Sequence, residues 1–104
     1  MAYVNHWWYV YVVPTNPFQP GEERTHVWSG DWLDRAVAAT AAPARSVSTD
    51  LKMLTVAQVR VVSAPGQPGV PGQELGVTSL EVTVKNLGIT PIVVYYISLA
   101  DIAP

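Results

Sequence analysis

The chain has no cysteine, which excludes a disulfide scaffold, thiol catalysis, thiolate zinc sites and iron–sulfur clusters. Charge is scarce as well. Six Lys and Arg and eight Asp and Glu make up 13% of the 104 residues, for a formal net charge of −2. Soluble domains usually carry about 25% charged residues. Without a basic cluster to neutralise phosphates, nucleic-acid binding is not expected. No apolar run reaches the roughly 20 residues that a membrane-spanning helix needs, so no membrane span is expected. The longest run, 3–13, contains Asn5 and His6, follows no basic region and precedes no small-residue cleavage site. It therefore reads as a strand rather than a signal peptide. No Gly-rich phosphate loop, nucleotide fingerprint, calcium loop or nucleophile elbow occurs.

What is present is β-branched and aromatic: Val is the commonest residue, with four Trp and five Tyr, in a chain that is 49% hydrophobic. Such side chains suit a pleated surface, so the length and composition predict a single all-β domain over 1–104. Its expected form is an antiparallel β-sandwich of about six to eight strands, immunoglobulin-like or jelly-roll. Pro/Gly-rich loops are expected at 14–21 and 64–73, because Pro cannot continue a helix or a central strand. Gly66, Gly69 and Gly72 fall every third residue, but three triplets cannot hold a collagen helix.

Strands are expected at 3–13, 22–28, 51–63 (with a bulge near Thr55), 79–85 and 89–102, with a turn at 86–88. The first is apolar on both faces, so it is either central or covered on one side by another chain. Residues 32–42 admit two readings. A helix capped by Asp31 would turn Trp32, Leu33, Ala36 and Val37 inward. A strand would set Leu33, Arg35, Val37 and Ala39 against Trp32, Asp34, Ala36 and Ala38. The strand is preferred because its surroundings are strand-like.

Catalytic sets are missing, and the protein is not expected to be an enzyme or to need a cofactor. Zinc held by His6, His26 and Glu22 or Glu23 would require the first two strands to pair. Two isolated histidines are more simply explained as surface or core residues, and no metal is expected. Asp31 and Asp34 flank Trp32 with Trp28 just before, a pattern that also occurs in sugar-binding and sugar-cleaving sites. Trp28, Asp31, Trp32 and Asp34 are therefore the candidate ligand residues of an alternative reading as a carbohydrate-binding module, with a glycan as ligand.

The aromatic residues of the first strand decide the main expectation. Neighbouring side chains on a strand face opposite ways, so Trp7 and Trp8 cannot enter the same core. Tyr3, Trp7, Trp8, Tyr9 and Tyr11 are the candidate interface, and no charged residue occurs from 1 to 19 to discourage association. A homo-oligomer or a larger protein assembly is the expected partner, at an extracellular surface or in a virion.

One segment resembles a known family. Leu54-Thr55-Val56, a Pro/Gly loop, then Leu80-Glu81-Val82-Thr83-Val84-Lys85-Asn86-Leu87-Gly88 and a β-branched, aromatic strand are similar to the CARDB-type immunoglobulin-like modules of bacterial surface proteins. The resemblance covers 54–99 and implies a non-enzymatic stalk or adhesion module.

Overall fold

The structure, a computed structural model, describes residues 3–30, 32, 35–44, 52–64, 69 and 77–103. The chain is all-β, with six strands among the described residues: β1 (Tyr3–Val12), β2 (Glu23–Ser29), β3 (Ala36–Pro43), β4 (Leu54–Ala64), β5 (Val77–Asn86) and β6 (Val94–Ala103). They form two three-stranded antiparallel sheets, ordered β1-β6-β3 and β2-β5-β4. Among the described residues no helix is long and apolar enough to cross a membrane.

The sheets contribute to one core. Leu80, Val82 and Val84 of β5 and Tyr95, Ile97 and Leu99 of β6 are buried in it, joined by Phe18, Trp32 and Ile92. The two central strands thus supply most of it. Period-two alternation in β5 and β6 sends every second side chain inward, as half-buried antiparallel strands require. The edge strands close the core with half-buried side chains: Trp7, Tyr9 and Tyr11 from β1, Val37, Ala39 and Ala41 from β3, and Leu54, Val56 and Val59 from β4.

Several sequence expectations change in detail. Within 32–42 the described residues adopt the strand rather than the helix, over Ala36–Pro43. Trp32 stands before the strand, buried, and donates its Nε1–H to the Trp28 carbonyl oxygen at 3.0 Å. The expected bulge lies at Ala57 instead of near Thr55, since Val56 pairs with Val84 and Gln58 with Thr83. The 89–102 strand is shorter than expected. Pro91 has no N–H to give a ladder, and Ile92 makes an isolated bridge to Phe18 before β6 begins at Val94. Strand β1 is not central: it pairs with β6 and forms an edge of its sheet. The 64–73 loop, apart from Ala64 and Gly69, lies outside the described residues, as do Asp31 and Asp34.

The Pro-rich 14–21 loop ties β1 to the other sheet. Phe18 and Ile92 exchange backbone hydrogen bonds at 2.8 and 2.9 Å, and Val13 N–H donates to the Val93 oxygen at 2.7 Å. Gly21, at φ +80°, donates to the Asn86 carbonyl at 2.8 Å, a conformation glycine adopts without strain. Asn86 is the buried keystone of this junction. Its Nδ2 donates to the carbonyls of Phe18 and Thr90, and its Oδ1 accepts from Gly88 N–H. The bend at 86–88 is therefore closed by an asparagine side chain, and Gly88 has no positive φ.

Candidate functional site

Alternation along β1 divides its aromatic residues between two sides of one sheet. Trp7, Tyr9 and Tyr11 turn inward. Trp7 meets Trp32 edge-on at 5.9 Å, Tyr9 meets Trp28 at 5.1 Å, and Tyr11 lies 4.2 Å from His26 and 5.1 Å from Tyr95 between ring centroids. Of the five candidate interface residues, these three pack within the chain itself. Tyr3 starts the strand, opposite Ala103. Trp8 points the other way.

The inward cluster is partly polar. The Tyr95 hydroxyl and His26 Nε2 lie 3.0 Å apart. Burial, reinforced by the Arg24 charge, holds the His26 pKa below its ordinary 6.5. Burial also pushes Tyr11 up to about 12, with Tyr95 and Tyr9 adding to it, and raises Tyr95. A neutral imidazole facing protonated phenols fits this geometry, and the His26 tautomer sets the direction of the bond to Tyr95. Arg24 stands 4.9 Å above the Phe18 ring, bonds Glu22 at 2.7 Å and donates to the carbonyls of Asn16 and Pro17. That bond, with a second from Gln19 N–H, holds the Glu22 carboxyl below its usual range.

At the other end of the inner face, Asp101 is fully buried and accepts from Arg35 Nη1 at 2.6 Å. His26, with Tyr11 and Tyr95, joins the two sheets, whereas Arg35 and Asp101 pair on the β3–β6 side of one sheet. His6 lies on the outer face, bonded to Ser98 Oγ at 2.6 Å. The first two strands belong to different sheets, so His6 and His26 do not converge on one metal. Among the described residues no three of His, Cys, Asp and Glu are placed to hold one.

The proposed sugar platform changes character too. Trp32 is buried beneath Trp7 and its N–H is taken, while Trp28 is half-buried against Tyr9. The exposed tryptophan is Trp8, stacked on Tyr96 at 5.2 Å.

Trp8 belongs to a face the sequence reading only half anticipated. The outer side of β1-β6-β3 exposes Trp8 (57%), Val10 (53%), Val12 (63%) and Ile102 (50%). Register sets Trp8 beside Ser98 and Thr40, and Val10 beside Tyr96 and Ala42. Ala36 and Ala38 continue the row of small residues on β3. A half-open hollow of about 170 Å3 lies between Trp8, Tyr96, Ser98 and the Thr40–Ala42 stretch. No described side chain on this face is charged. The outer side of β2-β5-β4 is different. Glu23 stands opposite Lys85, Arg60 Nε donates to Glu81 at 2.7 Å, and Thr25 and Thr83 share a hydrogen bond of 2.8 Å. Val27 (56%) and, on β4, Val62 (36%) are exposed there among these polar groups.

Tyr96, Thr40, Ser98 and Ala42 were not singled out from sequence. The run of small residues at every second position of β3 was visible, but its neighbours depend on long-range register.

The two adjacent tryptophans should respond oppositely to truncation. Trp7→Ala should lower the unfolding free energy by about 3 kcal/mol in a urea titration, the usual cost of emptying a core tryptophan site. Trp8→Ala in dilute protein should change it by less than about 1 kcal/mol. Acid should also weaken the fold through His26. The folded state binds its proton less tightly than the unfolded chain, so stability is complete above pH 6.5 and falls as pH drops below it. Urea midpoints between pH 7.5 and 5 should show that decline, and His26→Gln should flatten it.

No family model, no curated protein and no solved structure matches the chain.

Proposed function

We propose that this protein is a non-enzymatic structural or interaction module. It is a β-sandwich that self-associates or sits in a larger assembly through the uncharged outer face of β1, β6 and β3. The observation that carries this reading is the contrast between the two outer faces. One presents paired charges and hydroxyls to water, while the other exposes a tryptophan and two valines from a single edge strand. Scattered surface hydrophobes are ordinary, but a contiguous apolar face generally marks an interaction site. A long apolar edge without charge is what soluble monomers avoid.

Strand order favours the immunoglobulin-like form over a jelly roll. In immunoglobulin domains the second, fifth and fourth strands share one sheet, and the third and sixth lie in the other beside the last. Here β2-β5-β4 accompanies β3-β6, with β1 beside β6 in the position of that last strand. The resemblance over 54–99 would give such a module a stalk or adhesion role.

Hydrophobic-interaction chromatography tests the reading. The protein should be retained, and Val10→Lys with Val12→Lys should shorten retention strongly, whereas Val27→Lys on the opposite sheet should change it little. Equal effects on the two sides would contradict it.

A further inference from the structure

We infer that the uncharged face is covered by a second copy of this chain, in a symmetric dimer whose two-fold axis runs along β6. This rests on reading the face as an interaction surface, and adds what covers it and in which orientation.

The relief of the face carries the inference. One edge is a ridge, the large side chains Trp8, Val10 and Val12 of β1. The other edge is a trough, where β3 presents only Ala36, Ala38, Thr40 and Ala42 outward. Between them runs β6. A two-fold axis along β6 exchanges the two edges, so each ridge settles into the partner's trough. It also preserves position along the strands. Because Trp8, Ser98 and Thr40 share one row, Trp8 of one copy lies above Thr40 of the other, at the hollow beside Tyr96. An axis across the strands would instead stack ridge on ridge and leave two facing troughs empty, against the close packing that stable interfaces need.

Charge agrees with a self-complementary contact. A face with no charged side chain has nothing to offer a charged partner, and it suffers no like-charge repulsion against its own copy. At its polar centre Ser98 Oγ is bonded to His6 Nε2, so covering the pair leaves that bond in place. Three strands of ten residues or fewer present about 33 by 14 Å at ordinary strand rise and spacing. Two such faces, with their side-chain relief, come to about the 1,000 Å2 that a specific contact must clear. The dimer is therefore small and should depend on concentration.

The absence of cysteine makes the test clean. Facing sheets lie about 10 Å apart, beyond the reach of a disulfide, so the probe is a short bis-maleimide. Val10 and Ala42 share a row on opposite edges. A mixture of Val10→Cys and Ala42→Cys chains should therefore cross-link as a mixed pair, and neither variant alone should cross-link. Sedimentation at rising concentration should approach twice the chain's 11.3 kDa. Trp8→Ala should raise the dissociation constant at least about 30-fold, the effect of one interface hot spot.

Cross-linking of Val10→Cys to itself would overturn the inference, because it would bring β1 against β1 through an edge contact or the other axis. A protein that stays monomeric to millimolar concentration would also overturn it, including one whose Trp8 fluorescence responds to a glycan panel. In that case Lys-sensitive retention on the hydrophobic medium would still uphold the reading of the face, with another molecule as its cover. Loss of both results would remove the reading and the inference together.

Discussion

A β-strand sends successive side chains to opposite faces, and in a protein of two layers only one face of each strand belongs to the core. Most of this molecule follows from that constraint acting on β1. Trp7, Tyr9 and Tyr11 occupy the inner positions and meet Trp32, Trp28, His26 and Tyr95 from the other elements. The intervening Trp8, Val10 and Val12 are exposed and have no second layer over them among the described residues. The strand is as apolar as a buried one, yet it stands at the edge of a sheet.

The rest of the structure holds β1 in that position. The prolines of 14–21 prevent the chain from continuing as a central strand, and Phe18 is drawn into the core where it bridges Ile92. Asn86 satisfies the carbonyls that this junction leaves inside. At the β1–β2 side the space between the sheets is filled by His26, Tyr11 and Tyr95. These groups are polar at their tips and apolar in their bodies, which lets a thin core end without exposing hydrocarbon. At the opposite end Asp101 is buried and held by Arg35 from the same sheet. The polar residues turned inward are thus part of the packing, and the apolar residues turned outward are the surface on which the proposed association rests.

Much of this was legible in sequence because it is local. Alternation in Leu80, Val82 and Val84 identified β5 and its inner face, and the opposed directions of Trp7 and Trp8 required only strand parity. The all-β class followed from β-branched and aromatic composition. What could not be read depends on pairing between distant segments. Placing β1 at an edge requires knowing that β3 takes the other side of β6. Burial of Trp32 under Trp7 needs the two sheets together, which is why the tryptophans around 28–32 looked like a platform. The trough beside Trp8 exists only because register aligns Thr40 and Ala42 with Ser98 and Tyr96. The bulge at Ala57 was displaced from its expected place near Thr55 because a phase break fixes the neighbourhood of a bulge but not its residue.

The proposed association covers the outer face of β1, β6 and β3 with protein and leaves the outer face of β2, β5 and β4 in water. Hydroxyl-radical footprinting across a range of protein concentrations measures this directly. Oxidation of Trp8 and Val10 should fall as concentration rises, while Val27 on the opposite face keeps its dilute rate. Constant oxidation of Trp8 at every concentration, or protection of Val27 in its place, would contradict the account.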